Sequence, residues 1–75
     1  MRVYITRNLG KSYLSFCKGK YRGRCESLDY KILQVIDWAG SKGMEYPDLE
    51  DLFGTWGDFN IVYRDLLKGG LVVEK

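Results

Sequence analysis

The stretch DFNIVYRDLLKGGLVVEK, Asp58 to Lys75, constrains the fold most, because it reads as an amphipathic helix that turns at once into a strand. Phe59, Val62, Tyr63 and Leu66 recur at i, i+3, i+4 and i+7, so at about 100° per residue they form one apolar stripe that needs a core. Lys68 puts a cation in the last turn, at the negative end of the helix dipole, and Gly69-Gly70 supplies a residue free to take positive φ and stop the helix. Leu71, Val72 and Val73 follow, a β-prone run too short to be anything but a strand docked on existing structure. Outward on the helix stand Asn60, Ile61, Arg64 and Asp65, with Leu67 at the margin.

Upstream, Ser27 is a good N-cap and Asp29 suits the first turn of a helix. Leu28, Ile32, Val35, Ile36 and Ala39 recur at helical spacing, and Gly40 or Gly43 ends the run. Tyr30, Leu33 and Trp38 widen its apolar surface, which places this helix between a sheet and two other helices, with Trp38 in the core. Pro47 fits the first position of a short helix, where a missing N–H costs nothing, and Asp48, Glu50 and Asp51 load its positive end. Leu49, Leu52 and Phe53 are expected to face inward. Gly54 closes that helix, and Thr55 or Asp58 caps the next.

The N-terminal third reads as strands. Val3 and Ile5 alternate with Arg2, Tyr4 and Thr6 over Arg2 to Arg7, and Asn8-Leu9-Gly10 makes a turn. Ser12 to Cys17 alternates again, Leu14 and Phe16 on one face and Tyr13, Ser15 and Cys17 on the other. Gly19 and Gly23 bracket a charged tip, so Lys20 to Cys25 returns as a third strand. The expected class is α+β: an antiparallel β-meander over 1–26, a three-helix unit over 27–75 and a C-terminal strand. The 75 residues make a single domain, 1–75, near the lower size limit for one hydrophobic core.

Net charge is +2, but its distribution carries more information. Arg2, Arg7, Lys11, Lys18, Lys20, Arg22 and Arg24 precede the first acid, whereas the chain from Glu26 onward is acidic. Such asymmetry fits a polyanion-binding segment on an acidic body. The alternative is internal neutralisation, a basic sheet beside acidic helices. The tip Lys18-Gly-Lys-Tyr-Arg-Gly-Arg24 combines four long cations with Tyr21 at its apex, as phosphate contact with groove or base stacking requires. A solvated turn kept basic for solubility would look the same.

Cys17 and Cys25 would face each other across this hairpin. Two free thiols suit an ordinary cytosol, whereas a disulfide suits the intracellular proteins of hyperthermophilic archaea. Two cysteines without a histidine leave a structural zinc site incomplete, and no cofactor is expected. Enzymatic activity is not expected: there is no histidine, the cysteines lack an obvious base, and adjacent Glu50 and Asp51 diverge on a helix. The run GKSY at 10–13 lacks the earlier glycine of a phosphate-binding loop. The longest apolar run is far short of the roughly 20 residues of a membrane span. MRVYITRN has no signal-peptide core, which points to the cytoplasm.

From Ser27 onward the chain resembles a winged-helix, helix-turn-helix DNA-binding domain. SLDYKILQVIDWAGSKG stands at the first helix, YPDLEDLFG at the second, and TWGDFNIVYRDLLKGGLVVEK at the recognition helix running into the first wing strand. The most specific piece is YRDLLKGGLVVEK, since Leu-x-x-x-Gly-Leu-Val is a frequent ending of that helix in the family. No second wing strand follows Lys75, so the wing is absent or built from another part of the chain. The resemblance implies a small DNA-binding transcriptional regulator acting on double-stranded DNA, of a type found in small archaeal, viral or plasmid-borne proteins. Homodimers are common among proteins that read two half-sites. The expected nucleic-acid-binding residues are Lys18, Lys20, Tyr21, Arg22 and Arg24 on the hairpin, acting as a surrogate wing on phosphates, and Asn60 and Arg64 on the helix. Asp58 and Asp65 oppose that role. The alternative is a protein-interaction module on the same fold, using Ile61, Leu67, Trp56, Tyr46 and an acidic face.

Overall fold

The computed structural model describes residues 1–21 and 27–75, with the backbone alone at Lys18, Lys20 and Tyr21. The elements run β1 (Arg2–Ile5), α1 (Leu9–Tyr21), α2 (Leu28–Ala39), a 3-10 turn (Gly40–Lys42), β2 (Met44–Glu45), α3 (Tyr46–Phe53), α4 (Phe59–Lys68) and β3 (Val72–Glu74). The α+β class and the C-terminal strand are therefore as expected. The β-strands form one antiparallel sheet in the order β2-β1-β3, so the N-terminal strand is central and pairs with the C-terminal one. Tyr4 faces Val73 in this register and Val3 faces Met44. No helix among the described residues is long and apolar enough to cross a membrane.

The expected N-terminal meander is corrected beyond its first strand. Ser12 to Cys17, read as a strand, lies inside α1, and so do Lys18 to Tyr21, read as the start of a hairpin tip. Arg22, Arg24 and Cys25 fall outside the described residues. Gly10, Leu14 and Cys17 are buried at i, i+4 and i+7, which is the helical period. Asn8-Leu9-Gly10 is where the helix begins. Thr6 Oγ1 accepts the Gly10 N–H at 2.7 Å and donates to the Gly70 carbonyl at 2.8 Å. It thus satisfies an orphan donor of the helix start and ties it to the turn after α4. Cys17 is buried on a helix rather than on a strand, and Cys25 lies outside the described residues.

α2 is the packing centre, touching β1, α1 and α4. It contributes Tyr30, Ile32, Leu33 and Ile36 to the core, while Leu49 and Phe53 come from α3 and Phe59, Tyr63 and Leu66 from α4. Val3 and Val72 close the core from the sheet. Gly40 and Gly43, at φ 61° and 70°, turn the chain after α2 as only glycine does without strain. Two expected core residues are not core. Trp38 is 75% exposed, because it lies nearly opposite Ile36 on the helix, and Leu52 is 54% exposed on the open side of α3.

Candidate functional site

α3 and α4 form a helix pair joined by 54–58, and their mutual geometry comes from an aromatic cluster. Phe53 stacks on Phe59 with centroids 6.4 Å apart, Phe59 on Tyr63 at 6.0 Å, and Tyr46 tilts against both Phe59 and Tyr63. Offset ring pairs of this kind add directional preference to the burial itself. At the end of α4, Leu71 N–H bonds back to the Leu66 carbonyl at 3.0 Å, and Gly70 takes φ 74°. The chain then enters β3 with Val72 buried.

With Phe59, Tyr63 and Leu66 turned inward, the exposed residues of α4 are Asn60, Ile61, Arg64, Asp65 and Lys68. Asn60, Arg64 and Lys68 are spaced i, i+4, i+8 and make one ridge along the helix. Asn60 is steadied by a long bond in which Tyr46 O–H donates to its Oδ1 at 3.4 Å. Asp58 and Asp65 do not share the ridge. They line a groove between α4 and the start of α2, together with Tyr13, Ser27, Asp29 and Trp56. Lys68 was missing from the expected site, although its position four residues after Arg64 was a readable signal.

That groove holds one carboxylate fixed by the fold. Burial raises the Asp29 carboxyl, but the Ser27 and Tyr13 hydroxyls and the backbone N–H groups of Tyr30 and Asp29 outweigh it and leave the group below its usual range. Ser27 Oγ makes no hydrogen bond of good geometry among the described residues, so Tyr13 O–H and Tyr30 N–H, at 2.8 Å for the latter, are the well-formed donors. Tyr13 is pushed above the usual phenol range, first by this bond and then by burial. Lys31 Nζ stands 4.6 Å from the Trp56 ring centroid, a cation–π contact that anchors the α3–α4 loop on α2.

The basic N-terminal third divides into two groups. Arg2 Nε lies 3.2 Å from Glu45, and Lys11 pairs with Asp37, so internal neutralisation accounts for these two. Arg7 is exposed. Lys18 and Lys20 ride on the last turns of α1, where cations suit the helix dipole, and Tyr21 ends that helix. They are not on the expected hairpin, and Arg22 and Arg24 lie outside the described residues. Comparison with protein-family models, with curated proteins and with solved structures gives no match.

Proposed function

We propose that the chain is a small DNA-binding protein of winged-helix character, with α3 and α4 as the helix-turn-helix and α4 facing double-stranded DNA. The observation that carries the reading is the exposed ridge Asn60, Arg64, Lys68 on the second helix of that pair, although Asp65 is exposed beside it and opposes phosphate contact. Arginine and asparagine suit base edges, and lysine suits a phosphate. β3 pairs antiparallel with β1, so the N-terminal strand joins the strand that follows α4 in one sheet. The cations at 18, 20, 22 and 24 supply nonspecific phosphate contact, and regulation of transcription is the role such a domain serves.

The test is duplex binding by variants of α4. Arg64→Ala should weaken binding to a selected site by about 1–3 kcal/mol and relax preference at one base pair. Lys68→Ala should weaken all duplexes alike and shrink the salt slope by about 0.9. Asp65→Asn should strengthen binding modestly. Unchanged affinity in Arg64→Ala and Lys68→Ala contradicts the reading.

A second reading has its own support: Leu52, Trp56 and Ile61 are exposed on α3, the loop and α4. Apolar groups so placed fit a protein partner docking on the same helix pair. Ile61→Asp would then abolish that association while leaving duplex binding through Arg64 and Lys68 in place.

A further inference from the structure

The sheet has an outer face with a groove to which α4 contributes no residue. Val3, Ile5 and Val72 turn toward the core, so by alternation Tyr4 on the central strand and Val73 opposite it turn outward. Gly43 lies against the Tyr4 ring, where a methyl group would stand only 2.6 Å from a ring carbon. Lys75 Nζ stands 5.6 Å from the centroid of the same ring. Arg7, Lys11, Gly40 and Ser41 line with Tyr4 an open groove of about 560 Å³. Nothing fills the space above Gly40. None of the described residues lining the groove is acidic, and the Asp37 carboxylate is engaged by Lys11.

An aromatic ring on a central strand, with exposed cations lining the same groove, is the chemistry that holds a phosphodiester strand by its bases and phosphates together. A duplex offers no free base face to the ring, and an acidic peptide would meet the cations but leave the ring unused. We infer that the outer sheet face binds single-stranded nucleic acid, with a base stacked on Tyr4 and the adjacent phosphates on Arg7 and Lys75. The incoming base replaces the Lys75 ammonium over the ring, and the long side chain swings to the phosphate beside it. Lys11 contributes less, because Asp37 already holds it. The site shares no residue with α4, so it stands or falls independently of duplex binding.

The test is fluorescence anisotropy of a short labelled oligo(dT) at low salt with the whole chain. Binding should weaken by about 5- to 160-fold in Tyr4→Leu, the range for losing one stacked base. The double variant Arg7→Ala, Lys75→Ala should lower the salt slope by about 0.7 per cation removed. Arg64→Ala should leave oligo(dT) binding unchanged while altering duplex binding, which separates this site from α4. Should Tyr4→Leu lose its circular dichroism signal, the double variant decides alone, since both of its positions are exposed. The inference is overturned if the oligonucleotide does not bind, or if the double variant binds it as tightly as the parent. It is equally overturned if a polyglutamate peptide displaces the strand as well as unlabelled oligo(dT) does, or if only the Lys20, Arg22, Arg24 triple alanine variant loses binding.

Discussion

Leu66 is 2% exposed, and its carbonyl takes the Leu71 N–H that starts the path into β3. Leu66→Ala should therefore remove about 2–5 kcal/mol from a domain whose total is about 5 or slightly more. A urea titration reads this directly, and a loss under about 1 kcal/mol would mean the site collapses around the smaller side chain. The tyrosines give a pH dependence. Burial pushes the Tyr63 phenol above its usual range, and its bond to Glu74 Oε2 at 2.6 Å pushes it further. Because the folded group holds its proton more tightly than the unfolded one, its contribution is complete below about pH 10 and is lost as pH rises beyond. Melting temperature should fall above that pH, and the fall should be shallower in Tyr63→Phe. A parallel decline in both proteins would remove Tyr63 as a cause.

At the scale of elements, α1 separates two periods that the sequence leaves degenerate. Ser12 to Cys17 alternates like a strand, yet Gly10, Leu14 and Cys17 also fit a helix, and the glycine and asparagine at 8–10 pull the reading toward a turn. Only the helix buries Leu14 and leaves Phe16 62% exposed; a strand would put both on one face. Phe16→Asp should accordingly stay within about 0.5 kcal/mol of the parent, while Leu14→Asp should unfold the protein. Equal damage from both would restore the strand. By contrast, α2, α3, α4 and β3 were legible because several independent signals agree at each, such as Ser27 and the glycines at 40 and 43 around α2. β2 was not, since Met44 and Glu45 become a strand only through pairing with Arg2 and Val3. Trp38 was misplaced because apolar character was weighed above angular position: it stands opposite Ile36. Leu52 was misplaced for another reason, since a short helix at the surface of a small domain has little to cover it.

Across the whole molecule, the charge asymmetry was visible in the sequence, but its use was not. Arg2 and Lys11 pair at the surface with Glu45 and Asp37, a neutralisation that depends on which elements meet. Asn60 and Arg64 were expected to face outward from helical position and are exposed, and Lys68 continues their ridge. Lys18 to Tyr21 belong to α1 rather than to a hairpin tip, while Arg22 and Arg24 lie outside the described residues, so under the proposed reading phosphate contact no longer needs a hairpin. The central claim is that these cations and the α4 ridge meet DNA phosphates. It is tested most directly by measuring affinity for a duplex across a salt series, in the parent and in the Lys20, Arg22, Arg24 triple alanine variant. The account predicts a steep linear fall of log affinity with log salt in the parent, and a slope smaller by roughly 0.9 for each of the three contacts removed. No duplex binding at low salt, or an identical slope in the two proteins, would contradict it.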